Sequence, residues 1–204
     1  MSRVVDPLLA ARAGGLAVVL LITAFFGAWW GLVGASALPD GPSLPATLVV
    51  VAVTAILLLA AARLFRLSRR SPNPPPGGAG SNPFKARTYR LAVLFEVVAI
   101  PLAALVLNRA GHPDAVVSVV AAIVGLHFFG LVPAFGSWGF AAVGGAMVVV
   151  GVLSLLLPAA AAGGGASPRS ALVGTGCALA LWGGVVPPLV STLRRAGRDP
   201  TEHK

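Results

Sequence analysis

Six apolar stretches, each long enough to cross a bilayer, account for most of this chain of 204 residues. We place them at residues 13–35, 46–64, 89–107, 115–133, 137–157 and 170–193. A transmembrane helix needs about 20 mainly apolar residues. Composition agrees, because only 10% of the residues are charged, whereas soluble domains carry about 25%. The sequence therefore predicts an all-α, polytopic integral membrane protein with six transmembrane helices.

The basic residues are distributed unevenly between the two sides that these spans define. If the N-terminus is cytoplasmic, 13 of the 15 Lys and Arg residues lie in inner segments, and only Arg109 and Arg169 lie outside. Positively charged residues in short loops near helix ends stay on the cytoplasmic side. We therefore predict a multi-pass protein of the cytoplasmic (inner) membrane with both termini inside. This placement explains the net charge of +9 without nucleic acid as a partner.

The first span has a second interpretation, a cleavable signal sequence, because Ala35, Ser36 and Ala37 resemble a cleavage site. The uncharged stretch 13–35 has 23 residues, whereas the apolar core of a signal peptide has about 7 to 15. We therefore expect a retained first helix, and cleavage after Ala37 is the open alternative.

Prolines and glycines concentrate in residues 71–83, which predicts a linker without helix or strand. We divide a single membrane domain (1–204) into a first hairpin (13–64), a basic Pro/Gly-rich cytoplasmic linker (65–88), a four-helix remainder (89–193) and a basic cytoplasmic tail (194–204). Arginines where the second span leaves the membrane are candidates for contact with anionic lipids of the bilayer, with topology setting alone as the alternative. They are Arg63, Arg66, Arg69 and Arg70.

Small residues indicate where membrane helices can approach closely. Gly27 and Gly31 form a GxxxG pair in the first span. In a chain with 25 glycines such spacings are frequent by chance, so a homo-oligomer is left open. Short loops at 108–114 and 134–136 predict that spans three to five pack as consecutive antiparallel neighbours.

Only two spans carry an ionisable side chain near mid-membrane: Glu96 in the third and His127 in the fourth. Glu96 shares one helical face with Ala92, Ala99 and Ala103, and a stripe of small residues normally faces protein. Helical rise places Glu96 and His127 at matching depth. The sequence therefore allows a direct or water-mediated contact, provided that His127 turns toward this stripe.

Two prolines lie near this pair and support a polar site. Pro101 and Pro133 each leave the carbonyl four residues earlier without a helical donor, and those carbonyls belong to Val97 and Phe129. Together with a carboxyl and an imidazole, they could hold a proton, a water or a small cation. The alternative for Pro133 is that it ends its helix.

Intramembrane ionisable residues are functional candidates, and our working hypothesis is proton-linked transport of a small solute. Glu96 would accept the proton or cation and His127 would be its partner. The first alternative is a scaffold, immunity or regulatory subunit in which the pair only ties two helices together. The second is an intramembrane enzyme on a lipid-like substrate, which would need a cavity open to lipid around Glu96.

Signals for enzymes are few. The chain contains no H-E-x-x-H, Walker A or G-x-S-x-G motif and no second carboxylate within a span. We therefore predict no catalytic residues, no cofactor and no metal site.

The segment Gly125-Leu126-His127-Phe128-Phe129, followed by Pro133 and preceded upstream by Asn82-Pro83, resembles small bacterial multi-pass membrane protein families with a GLHF-type segment. The resemblance covers mainly spans three and four. It departs at Gly130, where a proline soon after the aromatic pair is expected. These families have no established activity, so the resemblance implies a helical membrane fold and an emphasis on His127.

Overall fold

The computed structural model describes residues 7–69, 87–160 and 166–197. These ranges hold helices and turns but no strand, which confirms the predicted all-helical class. The α-helices are α1 (Pro7–Ser36), α2 (Asp40–Ser68), α3 (Arg87–Arg109), α4 (Val116–Phe135), α5 (Gly139–Ser154) and α6 (Pro168–Gly197), with a short 3₁₀ turn, η1 (Pro113–Ala115), before α4.

Five of the described helices are long and apolar enough to cross a membrane, which indicates a membrane protein. The exception is α5, which has 16 residues and so a length of about 24 Å, against a hydrocarbon core of about 30 Å. The predicted fifth span continued to residue 157, but turns replace helix after Ser154. Pro158 contributes to this early end, because it has no N–H to donate to the Ser154 carbonyl four residues earlier. That carbonyl instead accepts from the Leu157 N–H at 3.0 Å.

The helices pack in the lateral order α2, α1, α6, α5, α4, α3, with a smaller contact between α4 and α6. The predicted succession of α3, α4 and α5 as neighbours is confirmed. The last helix, however, lies between the first and the fifth. As a result α2 contacts only α1, and α3 contacts only α4 and η1, among the described elements.

Two glycines make the short connections around α4 possible. Gly111 has φ +79° before η1, and Gly136 has φ +62° after α4. These left-handed conformations cost a side-chain-bearing residue free energy but cost glycine little. The Gly136 N–H also donates to the Val132 carbonyl at 2.8 Å, which ends α4 and keeps α5 beside it.

Close glycine contacts hold the middle helices together. A Cβ on Gly34 of α1 would lie 2.6 Å from the Thr175 nitrogen of α6, so the two backbones touch. The Gly27 and Gly31 pair also serves contacts within the chain: a Cβ on Gly27 would overlap the Trp182 indole of α6, and one on Gly31 would lie 2.7 Å from Val50 of α2.

The antiparallel helices give the bundle two chemically different ends. We call the end that holds the N-terminus of α3 and the C-termini of α2, α4 and α6 the basic end, and the other the opposite end. Among the described residues the basic end has six exposed arginines and no carboxylate: Arg63, Arg66, Arg69, Arg87, Arg90 and Arg194. The predicted linker 65–88 begins and finishes within helices, since α2 reaches Ser68 and α3 begins at Arg87.

Candidate functional site

Glu96 and His127 lie in contact between α3 and α4. The His127 Nδ1 is 3.2 Å from the Glu96 Oε2, and the side chains are 10% and 25% exposed, respectively. This is an ion-pair distance, but Nδ1 is enclosed and does not reach hydrogen-bonding angles with any acceptor in the described part of the chain. His127 therefore turns toward the small-residue stripe of α3, which the sequence analysis required for a contact with Glu96.

The small residues beside the pair explain the close approach of the two helices. Ala92, one turn before Glu96, is buried against Gly130. A Cβ on Gly130 would lie 2.7 Å from the Ala92 Cβ, so only glycine lets α3 come this near to α4. Ala99 and Ala103 are partly buried on the same face, as a stripe facing protein requires.

Glu96 and His127 also lie at matching levels along their helices. Glu96 is two residues from the midpoint of α3, Arg87–Arg109, and His127 is one to two residues from that of α4, Val116–Phe135. Both offsets are toward the basic end and amount to about 3 Å or less. The pair therefore occupies the central level of two helices that can span a membrane.

A groove of about 320 Å³ opens beside His127. It runs toward the basic end between α3, which contributes Thr88, Leu91, Ala92 and Phe95, and α4, which contributes Leu126, His127, Gly130 and Pro133. The lining includes the imidazole of the pair but not its carboxylate. The groove thus presents one mid-level polar group in an otherwise mainly apolar wall.

A second groove, of about 520 Å³, continues along the outer face of α3 from Leu91 to Leu102. It shares Leu91 and Phe95 with the first groove. All its lining side chains are apolar. The two grooves are therefore adjacent along α3, and we call them together the track, with His127 in the wall of the first groove.

The two predicted helix breaks differ in their relation to this track. Pro133 lines the first groove and lies inside α4, which ends two residues later at Phe135. Pro101 is exposed inside α3 and lines neither groove. Both helices thus continue past their prolines.

Three of the four arginines predicted to contact lipid, Arg63, Arg66 and Arg69, are exposed at the end of α2. Their position leaves the guanidinium groups accessible to a bilayer surface. Arg70 lies outside the described residues.

A polar cluster at the opposite end was not predicted from sequence. Arg169 at the start of α6 pairs with Asp114 of η1, and its Nη2 donates to the Leu157 carbonyl after α5 at 2.9 Å. One side chain therefore joins α6 to the segments that flank α4 and α5. The sequence did contain a signal for this pair, because Asp114 and Arg169 carry opposite charges and lie on the same predicted side of the membrane.

A buried hydroxyl pair lies one turn inside this end. The Ser118 and Ser154 Oγ atoms are 2.7 Å apart, and the Ser154 hydroxyl donates to the Gly151 carbonyl at 2.6 Å. Both serines are fully buried, so the contact fixes α4 against α5. Within the described part of the chain, α1, α4, α5 and α6 each contact at least two other helices, whereas α3 contacts one.

Comparisons of the chain with protein-family models, with curated proteins and with solved structures found no match. The resemblance to families with a GLHF-type segment stays a prediction.

Proposed function

We propose that the chain is a proton-linked carrier of a small solute, with the Glu96–His127 pair as the proton-exchanging site. The observation that carries this proposal is the 3.2 Å contact of two ionisable side chains at the central level of α3 and α4. Such groups are costly within a membrane and are usually functional. A carboxylate and an imidazole in contact can pass a proton between them, which a proton-linked carrier requires.

The groove beside His127 supports the same proposal. It gives one member of the pair a route toward the basic end. Among the described helices α3 contacts only α4. A small movement of α3 against α4 would therefore change access to the pair without breaking the contacts among the other helices. Carriers alternate access largely by moving one repeat or helix bundle against another around a central site, and in this proposal α3 is the part that moves.

Within this proposal the protein lies in the cytoplasmic membrane of a bacterial-type cell, with the basic end and both termini inside. The exposed arginines of α2 would then meet anionic lipid head groups, each contributing about 1 kcal/mol near the surface. The support is the concentration of described arginines at one end and the positive-inside rule.

The exposed apolar face of α3 favours a second candidate, a scaffold, immunity or regulatory subunit that does not transport. Leu94, Val98, Leu102 and Leu105 point away from the rest of the described chain. Such a face can meet a partner helix as well as lipid. In this case the Glu96–His127 contact would serve α3–α4 packing alone.

Proton flux into liposomes that contain the purified full chain tests the carrier proposal. A pH-sensitive dye inside the vesicles would report proton movement on addition of each member of a solute panel. We expect at least one solute to drive flux with the wild type, and Glu96→Gln to reduce that flux to the level of protein-free vesicles, because the amide keeps the shape but exchanges no proton.

The matched control is Asp40→Asn, which removes a carboxylate from the start of α2, far from the pair. It should leave the flux unchanged. Circular dichroism and gel filtration would establish that both variants fold. Equal flux in the wild type and Glu96→Gln, or no solute-driven flux at all, would contradict the proposal and favour the scaffold.

A further inference from the structure

One member of the polar pair lines the track along α3. His127 lines the groove toward the basic end, whereas Glu96 lines neither groove. An imidazole can offer N–H donors, two of them when protonated, while an ionised carboxylate only accepts. Because Nδ1 faces the Glu96 carboxylate, a ligand in the track would meet the other ring nitrogen, Nε2, which donates when the imidazole is protonated. The protonated form selects an acceptor or an anion.

The other residues that line the track indicate the chemical character of the rest of the ligand. Apart from His127 and Thr88, the first groove is formed by apolar side chains and one glycine, and the second is wholly apolar. Leu91 and Phe95 line both grooves, which have volumes of about 320 and 520 Å³. Ligand sites are commonly about 300 to 1,000 Å³, mostly apolar and with few polar groups. This combination suits a molecule with one small polar end and one apolar chain.

The charges at the basic end of the bundle favour a ligand whose polar group is anionic. Thr88 lines the first groove at the basic end, where the described residues include six exposed arginines and no carboxylate. A cationic amphiphile would meet repulsion on the same path.

We propose that the α3–α4 track binds a single-chain carboxylate amphiphile of the fatty-acid class, which enters sideways from the bilayer. The carboxylate lies in the first groove and accepts a hydrogen bond from His127, and the chain lies along the second groove against Leu91 and Phe95. This inference rests on the proposed function in that it names the class of solute that the carrier would take.

Binding of radiolabelled laurate to the full chain in nanodiscs of zwitterionic lipid tests this inference, with protein-free discs as background. We expect saturable binding that unlabelled laurate displaces. Dodecanol, which has the same chain without a charge, and dodecyltrimethylammonium, which has the opposite charge, should not displace it. His127→Phe keeps an aromatic ring but removes the donor, and should weaken binding about tenfold or more, as expected for a lost hydrogen bond to a charged group.

A matched pair of variants on α3 tests the position of the chain. Leu91 lines both grooves and is 54% exposed, whereas Val97 lines neither and is 64% exposed. Leu91→Trp should fill the track and weaken laurate binding, while Val97→Trp should leave it unchanged. Equal effects of the two variants would overturn the proposed track.

Other outcomes also overturn the inference. These are binding no greater than in protein-free discs, equal displacement by dodecanol, wild-type affinity in His127→Phe, or equal displacement by an anionic phospholipid, which would indicate a head-group site. The result is separable from the carrier test. His127-dependent laurate binding without solute-driven proton flux would contradict the carrier alone, and flux driven by another solute without laurate binding would contradict this inference alone.

Discussion

Glu96 and His127 meet at an edge of the bundle, and this position limits what their contact contributes to stability. The pair has an ion-pair distance but no hydrogen-bonding angle at His127 Nδ1. Polar contacts between membrane helices average about 0.6 kcal/mol, because groups in the unfolded, membrane-inserted state also find partners. Ala92 against Gly130 gives α3 a second contact with α4. The pair is therefore not required to hold α3 in place.

A double-mutant cycle of Glu96→Gln and His127→Phe would measure this contribution. We expect a coupling free energy of about 0.6 kcal/mol and no more than about 1.7 kcal/mol, the range found between membrane helices. Reversible unfolding in mixed micelles of detergent and sodium dodecyl sulfate supplies the four free energies of unfolding. A coupling of several kcal/mol would instead make the pair a structural clamp, which is the packing role that the scaffold alternative requires.

At the scale of the helices, close backbone contact between glycines holds α4 against α5. A Cβ on Gly144 would lie 2.5 Å from the Gly125 carbonyl oxygen and 2.8 Å from the Phe128 Cβ, whereas one on Gly145 would come no nearer than 3.9 Å to Phe129. Gly144→Ala should therefore force the helices apart and lower the free energy of unfolding by about 1 to 3 kcal/mol. Gly145→Ala is the control on the next residue and should stabilise by up to about 1 kcal/mol, because alanine favours helix. The same unfolding assay compares them, and equal destabilisation by both variants would contradict this packing.

These element contacts also show what the sequence could and could not predict. Short loops predicted the α3–α4–α5 succession, and helical spacing predicted the depth and face of Glu96. The place of α6 between α1 and α5 depends on surfaces such as Gly34 against Thr175, which no spacing distinguishes among 25 glycines. The contact of His127 with Glu96 depends on the rotation of α4 about its axis, and loop length does not determine that rotation.

On the scale of the whole molecule, charge is divided between the two ends. The described arginines of α2 and the N-terminus of α3 lie at the basic end, while Arg169 at the opposite end is paired with Asp114 and bound to the Leu157 carbonyl. Asp114 offsets the charge of Arg169, whereas no described carboxylate lies at the basic end. The fold thus strengthens the asymmetry that the positive-inside rule uses, and it predicts one orientation in the membrane.

Cysteine labelling of intact cells tests this orientation with two exposed serines. Ser36 lies at the opposite end and Ser137 at the basic end, and the single native cysteine, Cys177, is 0% exposed in α6, so its background should be low. A membrane-impermeant maleimide should label Ser36→Cys in intact cells but label Ser137→Cys only after the cells are opened. The substitutions change no charge, so the distribution of charged residues that sets the orientation stays the same. Labelling of Ser137→Cys alone in intact cells would invert the orientation, and would place the groove beside His127 toward the outside of the cell.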